Sequence, residues 1–438
     1  MIGAHLGGWR HATAYDDPVM NLPRMIEYAQ LAEQGKLDGL FLADGNGIRD
    51  MDRPALFAAN FPSARPGVFD PLVLMTALAG HTNRIGLICT ATTTFDEPWF
   101  VARRFASLDH VSGGRAGWNA VTASNAGDAL NFSHARPVGR EERYARAEEF
   151  VGVVRGLWDS WADDAFTQDK ASGRFLDPTR VRRLDHAGPF FTVAGPLNVP
   201  RTPQGHPVVF TAGQSDAGKE LAARHADAMF GAGDTKETCI AEYADIKGRM
   251  ARHGRDPASL RFIPGVTVFA GQNAAEADAL YDELNALIPP ALGVDYLSKI
   301  VTQDLGGLPL DAPMPPLADQ VVGSSTVRTL VVKQIRAYAM TVGEAARMVV
   351  RDFGTPVIKG SAIDVADVLE EWYRAGACDG FVLTFPIVPL GLRNFVDLVI
   401  PELQRRGLFR TEYQGGTLRD HLRLPKPVNR HFEKARTG

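Results

Sequence analysis

The sequence has few cysteines and no pattern that would pair them. Only three occur among 438 residues, Cys89, Cys239 and Cys378, and none belongs to a CxxC pair. An odd number with irregular spacing disfavours both a disulfide framework and a thiolate metal site. We therefore expect buried thiols in a reducing cytoplasm, and no bound metal.

Positive charge and long hydrophobic runs are also lacking. Lys and Arg number 47 against 51 Asp and Glu, which gives a formal charge of -4. No overall basic field exists to attract nucleic acid or anionic lipid. The most apolar stretch, GFVLTFPIVPLGL, is too short and too rich in proline to span a bilayer, and no signal peptide is recognisable. We expect a cytoplasmic protein that acts on small molecules, without nucleic-acid or membrane partners.

Several common motifs are absent as well. The chain contains no GxxxxGK phosphate loop, no GxGxxG after a strand and no HExxH metal motif. His225 falls within a predicted helix, where a structural role is the expectation. Because these motifs are absent, the function must be inferred from the arrangement of helices and strands along the whole chain.

What the sequence does contain is a repeated unit of helix and buried strand. In residues 105–124, FASLDHVSGGRAGWNAVTAS, a helix ends at Ser112, two glycines follow, and a short apolar strand leads into Asn119 and Thr122. Polar residues at the far end of a buried strand are typical of the active-site side of a (β/α)₈ barrel. The rest of the chain repeats this unit.

Seven buried strands are predicted, and they define an α/β fold of the (β/α)₈ TIM-barrel type. They lie at 38–43, 84–89, 115–121, 207–212, 227–231, 261–269 and 379–385. A closed barrel needs an eighth strand, which should precede the first helix, predicted at residues 21–36. Too few residues precede the polar loop that carries His5 to form a strand that crosses the barrel. Either the chain begins upstream of this sequence, or the barrel lacks its first strand.

We expect a single domain over 1–438, because α/β barrels keep one core well beyond the usual domain size. Three stretches interrupt the repeat, near 123–142, 162–206 and 274–355. They are too long for ordinary barrel connections. We expect them to be insertions at the rim, where they would cover the active site.

Barrel enzymes place their functional groups after the carboxyl ends of the strands. Asp44, Thr90, Asn119 and Ser215 each stand near such an end. Any one of them could be an ordinary turn or capping residue, since Asp, Thr, Asn and Ser favour those positions. Ser215 begins a helix, where free backbone N–H groups suit a phosphate, although a simple helix cap explains it equally well.

Two histidines near the start of the chain are candidates for proton transfer. His5 and His11 flank Trp9 in a loop expected at the rim. Either imidazole could donate a proton near the reacting centre, because histidine titrates close to neutral pH. The residues alone do not choose between them, so the catalytic residue is unknown at this stage.

Longer motifs carry a family resemblance that covers nearly the whole chain. FLADG, TATTTFDEP, FASLDHVSGGRAGWNAVTAS, ERYARAEEF, TAGQSDAGKELAARHADAMF and PELQRRGLFRTEYQGGTLRDHL resemble the nitrilotriacetate and dibenzothiophene-sulfone monooxygenases, a branch of the bacterial-luciferase-like flavin enzymes. The resemblance implies a luciferase-like barrel with insertions, usually a homodimer or homotetramer. It also implies that the first strand of the family is missing here.

The resemblance implies a cofactor site for FMN. It places the flavin against Asp44, Thr90, Tyr144 and Ser215, with Ser215 at the phosphate. Family members often have a histidine four residues before the tyrosine, where this chain has Arg140. An arginine can still pair with the phosphate, and it does so bidentately.

The resemblance further implies a two-component monooxygenase. A separate NAD(P)H:flavin reductase would supply reduced FMN (FMNH2), which reacts with O2 to oxygenate a small organic substrate. Two alternatives remain open: a deazaflavin (F420)-dependent oxidoreductase on the same barrel, and a non-catalytic flavin-binding barrel. The identity of the substrate lies beyond the sequence.

Overall fold

The computed structural model describes residues 3–17, 20–48, 68–123, 126–133, 138–317, 326–352 and 355–432. Ten strands lie within these ranges, named in chain order. They are β1 (Gly39–Leu42), β2 (Gly86–Thr92), β3 (Ala116–Val121), β4 (His186–Ala187), β5 (Thr192–Val193), β6 (Val208–Thr211), β7 (Ala228–Gly231), β8 (Arg261–Ala270), β9 (Val357–Gly360) and β10 (Val382–Thr384).

Helices alternate with these strands. They are α1 (Leu22–Gln34), α2 (Pro71–Ala79), α3 (Pro98–Val111), α4 (Arg140–Trp158), α5 (Asp216–His225), α6 (Lys236–Arg252), α7 (Ala274–Ala286), α8 (Pro290–Val301), α9 (Thr326–Ala337), α10 (Val342–Asp352), α11 (Ala362–Arg374), α12 (Leu390–Asn394), α13 (Ile400–Arg405) and α14 (Leu418–His421). A π-helical turn, Phe395–Val399, joins α12 to α13. Short 3₁₀ segments include Gly8–Arg10 and Ala126–Phe132. Within the described ranges, none of the helices combines the length and the hydrophobicity needed to cross a bilayer.

The main sheet is parallel and curls into part of a barrel. Its order is β1-β2-β3-β6-β7-β8-β10, with β9 paired to β8. All seven predicted strands are confirmed. Across the described residues β1 and β10 do not pair, so the sheet is open between these two strands. The N–H of Ala4 instead donates to the carbonyl of Phe385 at the end of β10, at 2.7 Å.

The pleat of β3 separates a helix-facing side from an interior side. Trp118 faces outward, with its ring 6.0 Å from Phe105 of α3 and 6.2 Å from Trp158 of α4. Its neighbour Asn119 faces the barrel interior, where it pairs in register with Thr90 of β2. α3 ends before Gly113 and Gly114, whose φ angles of 68° and 94° favour glycine and turn the chain into this strand.

Residues from the end of the chain close the amino-terminal ends of the strands, which we call the base; the opposite end is the rim. Leu418 of α14 packs among Ile88, Val208 and Phe210 inside the barrel. A side chain on Gly86 would lie 2.5 Å from Leu418, so this glycine leaves the space that the leucine fills. The barrel is therefore sealed at its base by a residue far away in sequence.

The predicted insertions lie at different ends. Segment 162–206 joins the base end of α4 to the start of β6, and it is held there by Asp163, which pairs with Arg201 and Lys426. This differs from our expectation of a rim position, because α4 has already run from rim to base before the insertion begins. In 274–355, helices α8 to α10 build an apolar cluster that includes Leu6 and lies on the rim side.

Candidate functional site

The rim ends of β2 and β3 bring two predicted polar residues into contact. The side-chain N–H of Asn119 donates to Thr90 Oγ1 at 2.8 Å, and the Thr90 hydroxyl donates to the carbonyl of Leu42 at 3.3 Å. Asn119 is 3% exposed, and its Oδ1 atom has no hydrogen-bond partner among the residues that the structure describes. A buried acceptor without a partner costs free energy, so this corner holds unused hydrogen-bonding capacity.

Asp44 stands two residues beyond β1 and is half-buried. Burial raises the pKa of its carboxyl group, and the neighbouring carboxylates Asp70 and Asp128 raise it further, whereas the N–H of Gly45 acts in the opposite direction. The surroundings of Asp44 therefore favour the protonated form more than water does. A ligand that donates hydrogen bonds here would stabilise the carboxylate.

Tyr144 and Ser215 meet at the start of α5. Ser215 caps this helix, because its hydroxyl accepts the N–H of Gly218 at 3.1 Å. A side chain on Gly213 would lie 3.1 Å from the Tyr144 hydroxyl and 3.0 Å from the Gly218 Cα atom. The absence of side chains on these glycines thus lets the Tyr144 hydroxyl and the backbone of a helix N-terminus come close together, and free N–H groups at such a terminus suit an anion.

Two arginines stand beside Tyr144 on the first turn of α4. Arg140 is exposed, and in the described part of the chain its guanidinium forms neither an ion pair nor a hydrogen bond. Arg143 is half-buried, and its Nη1 donates to the carbonyl of Ala123 just beyond β3. Burial lowers the pKa of the Arg143 guanidinium, and the charge of Arg140 acts in the same direction. Positive charge therefore accumulates next to Tyr144.

The two candidate histidines differ in how they are held. His5 is fully buried, with Nδ1 accepting the N–H of Gly7 at 3.0 Å and Nε2 lying 3.3 Å from Asn285 Oδ1. His11 lies nearer the surface, with Nε2 3.3 Å from Glu283 Oε1 and Nδ1 2.8 Å from Thr13 Oγ1. Both belong to the loop that packs on the end of β10. Neither geometry identifies a catalytic role.

Sequence reasoning missed two interior threonines on the opposite wall. Thr267 of β8 and Thr384 of β10 pair in register, and their hydroxyl oxygens are 2.8 Å apart. Both stand near the rim ends of their strands. The alternation of side chains along β8 places Thr267 on the same face as Ile263, and this signal was available in the sequence. Among the described residues, no three His, Cys, Asp or Glu side chains lie together in a way that could hold a metal ion.

Comparison with known proteins identifies the family. The model of the luciferase-like monooxygenase family matches residues 1–378. The chain is 43% identical to N-acetyl-S-(2-succino)cysteine monooxygenase of Bacillus subtilis (strain 168), covering 98% of this chain and 96% of the relative. It is also 43% identical to nitrilotriacetate monooxygenase component A of Aminobacter aminovorans, covering 98% and 95%.

Solved structures support the same assignment. A crystal structure of riboflavin lyase with modified FMN and riboflavin matches with a TM-score of 0.84 and 30% identity, covering 96% of this chain and 93% of that one. Two F420-dependent enzymes match at only 14% and 16% identity and share the fold alone. The resemblance inferred from the sequence motifs is confirmed. The chain belongs to the luciferase-like monooxygenase family.

Proposed function

We propose that this protein is the oxygenating component of a two-component monooxygenase, which takes FMNH2 from a separate NAD(P)H:flavin reductase. The observation that carries the proposal is the close approach of the Tyr144 hydroxyl to Gly213 at the N-terminus of α5. A phosphate there would meet backbone N–H groups and the positive end of the helix dipole. The name of one relative, component A of nitrilotriacetate monooxygenase, supports the need for a second component.

The residues present fit the flavin in two groups. Tyr144, Ser215 and Arg140 would hold the phosphate by hydrogen bonds and charge. Asp44 and Thr90 lie at the ends of neighbouring strands, where they would accept or donate hydrogen bonds at the ring system. The unpaired Oδ1 of Asn119, beside Thr90, supports a polar ligand at this corner.

Reduced flavin, when bound, supplies the chemistry: it reacts with O2, one oxygen atom enters the substrate and the other leaves as water. The chain contributes the binding geometry and the exclusion of water. Helices α8 to α10 pack over the rim side with Leu6, and Lys333 of α9 pairs with Asp234 beyond β7 at 3.1 Å. These helices would shield the site from solvent.

The substrate is proposed to be a small organic molecule. Two relatives are named for substrates that carry several carboxylates, N-acetyl-S-(2-succino)cysteine and nitrilotriacetate. Both compounds are therefore the first to test. We also propose a cytoplasmic homodimer or homotetramer, which light scattering after gel filtration would establish.

The test combines binding with oxygen uptake. FMNH2 is titrated into the protein without oxygen; then FMN, NADH and a generic flavin reductase are supplied with each substrate. We expect FMNH2 to bind, and one compound to raise oxygen uptake above the hydrogen peroxide background. Binding of reduced F420 in place of FMNH2, or FMNH2 binding without oxygenation of any compound, would contradict the proposal.

A substitution tests whether Arg140 belongs to the phosphate site. Arg140→Ala is expected to weaken FMN affinity, because it removes a positive charge next to the phosphate. Arg103→Ala, which changes an exposed arginine on α3, is the matched control and should bind FMN like the wild type. Full FMN affinity in Arg140→Ala would exclude Arg140 from the phosphate site.

A further inference from the structure

Two arginines one turn apart on α4, Arg143 and Arg146, use the same donor groups differently. A guanidinium carries Nε–H and one Nη2–H along a single edge, and these two donors match two oxygens of a carboxylate or phosphate. This edge is called the fork below. Whether a fork is filled by the protein itself can be read from its hydrogen bonds.

The fork of Arg146 is filled. Its Nε donates to the carbonyl of Thr93 at 3.1 Å, and its Nη2 donates to the carbonyl of Asp96 at 3.2 Å. The guanidinium also lies over the ring of Phe191, with its carbon 4.3 Å from the ring centre. Arg146 therefore has a structural role, joining α4 to the loop after β2.

The fork of Arg143 is empty. Its Nη1 donates to the carbonyl of Ala123, which fixes the plane of the guanidinium. Its Nε is buried and has no partner, and no acceptor for Nη2 is found among the described residues. A buried donor left without an acceptor costs free energy, and a bound oxyanion would remove that cost.

The fork lies close to the proposed flavin site, since Tyr144 is near enough to act on the pKa of the Arg143 guanidinium and to raise it. Arg143 precedes Tyr144, whose hydroxyl lies at Gly213 and the start of α5. Burial lowers the pKa of the Arg143 guanidinium, and the charge of Arg140 lowers it further because the two cations repel each other. An anion bound between them would be attracted by both.

We propose that Arg143 binds an oxyanion through its Nε–H and Nη2–H groups. The inference builds on the proposed function and adds a residue that neither the motifs nor the family resemblance singled out. The oxyanion has two potential sources, the phosphate of FMN and a carboxylate of the substrate. The neighbouring Tyr144 and the N-terminus of α5 favour the phosphate.

The experiment compares three variants with the wild type. Arg143→Gln removes the charge and the fork, Arg143→Lys keeps the charge alone, and Arg146→Gln is the matched control on the same helix. Each protein is titrated with FMN, riboflavin, inorganic phosphate and succinate, by flavin fluorescence or calorimetry. Thermal unfolding of each variant shows that it is folded.

We expect Arg143→Gln to weaken FMN binding at least tenfold while riboflavin affinity stays within twofold. Arg143→Lys should lie between this variant and the wild type, because a lysine retains charge without bidentate geometry. Arg146→Gln should unfold at lower temperature but bind FMN like the wild type. A loss of succinate binding alone in the Arg143 variants would place the oxyanion on the substrate.

Two outcomes separate this inference from the proposed function. If the wild type binds neither FMN nor riboflavin, the proposed function fails. The inference about the fork is then tested by the binding of inorganic phosphate and succinate. Binding of those anions that depends on Arg143 would support the fork even so. If both Arg143 variants bind all four compounds like the wild type, or if no anion binds in an Arg143-dependent manner, the inference is overturned.

Discussion

The two ends of the barrel differ in how their charges are paired. At the base, aspartates that precede strands have cationic partners: Asp38 with Arg410, Asp227 with Arg419 and Asp379 with Lys247. At the rim, the charges that act on the pKa of Asp44 are those of Asp70 and Asp128, which are also carboxylates, and the fork of Arg143 has no partner among the described residues. Charge at the base is therefore neutralised within the fold, whereas charge at the rim is left for a ligand to neutralise.

The largest effect should come from breaking a pair at the base. Asp227 Oδ2 lies 2.8 Å from Arg419 Nη2, and both side chains are buried. Asp227→Asn leaves the arginine without a counter-charge, so we expect a loss of about 3–5 kcal/mol in the free energy of unfolding. Denaturation in urea measures this loss. Glu27→Gln, which breaks an exposed pair with Arg24, is the control and should change little.

The loss of unfolding free energy caused by Asp227→Asn should depend on pH, and the pKa of Asp227 fixes the direction of that dependence. Burial alone would raise the pKa of Asp227, but Arg419 and Arg155 outweigh it and lower the pKa from 3.8 to about 2. A depressed carboxyl pKa stabilises the fold above its ordinary value, and the contribution is lost as pH falls toward the folded value. The stability gap between wild type and Asp227→Asn should therefore narrow between about pH 4 and pH 2. A gap that stays constant there would contradict the assignment.

A smaller effect is expected at the rim, on binding and not on folding. Tyr144→Phe removes the hydroxyl beside Gly213, and a hydrogen bond to a charged group contributes roughly 1.5–3 kcal/mol. We expect FMN affinity to fall about tenfold, with riboflavin affinity unchanged. Tyr243→Phe removes a hydroxyl that bonds Asp379 at the base and serves as the control. Equal FMN affinity in the two variants would remove Tyr144 from the phosphate site.

The smallest effect tests the cost of the unpaired carboxylate. Because the folded pKa of Asp44 is raised, the folded state gains stability from it at low pH and loses that stability as pH rises through the folded value. Asp44→Asn should therefore raise Tm relative to wild type more at pH 8 than at about pH 3, below the ordinary carboxyl pKa, and weaken FMN binding.

A paired carboxylate should give the opposite sign. Arg249 and Lys219 outweigh burial and lower the pKa of Asp245, so Asp245→Asn should lower Tm at pH 8. If both substitutions shift Tm in the same direction, the contrast between paired and unpaired carboxylates does not hold.

Much of the fold could be predicted from local sequence. Buried parallel strands form short apolar runs bounded by glycine and polar residues. All seven strands predicted from this pattern are present in the structure. β9 was missed, because its four residues follow a long helical segment and resemble a connection. The base position of 162–206 also escaped prediction, since it depends on ion pairs with Lys426 and other distant residues.

The site was predictable only in part, and for a physical reason. Asp44, Thr90 and Asn119 follow from the rule that strand ends converge, and the structure brings Thr90 and Asn119 into contact. Arg143 carries no such signal, because an arginine in the sequence ERYARAEEF looks like any charged helix residue. Its role depends on which carbonyl oxygens accept hydrogen bonds from its guanidinium. The carbonyl that does so belongs to Ala123, twenty residues away in the sequence.

The position of Leu418 has a consequence for how the protein folds during its synthesis on the ribosome. The barrel interior is completed by a side chain that is translated after nearly the whole sheet. At about 5–20 residues per second, synthesis of the preceding residues takes roughly 20–80 s. From the synthesis of Phe210, about halfway through that time, until that of Leu418, the nascent sheet exposes apolar surface around Phe210, which is a binding target for molecular chaperones.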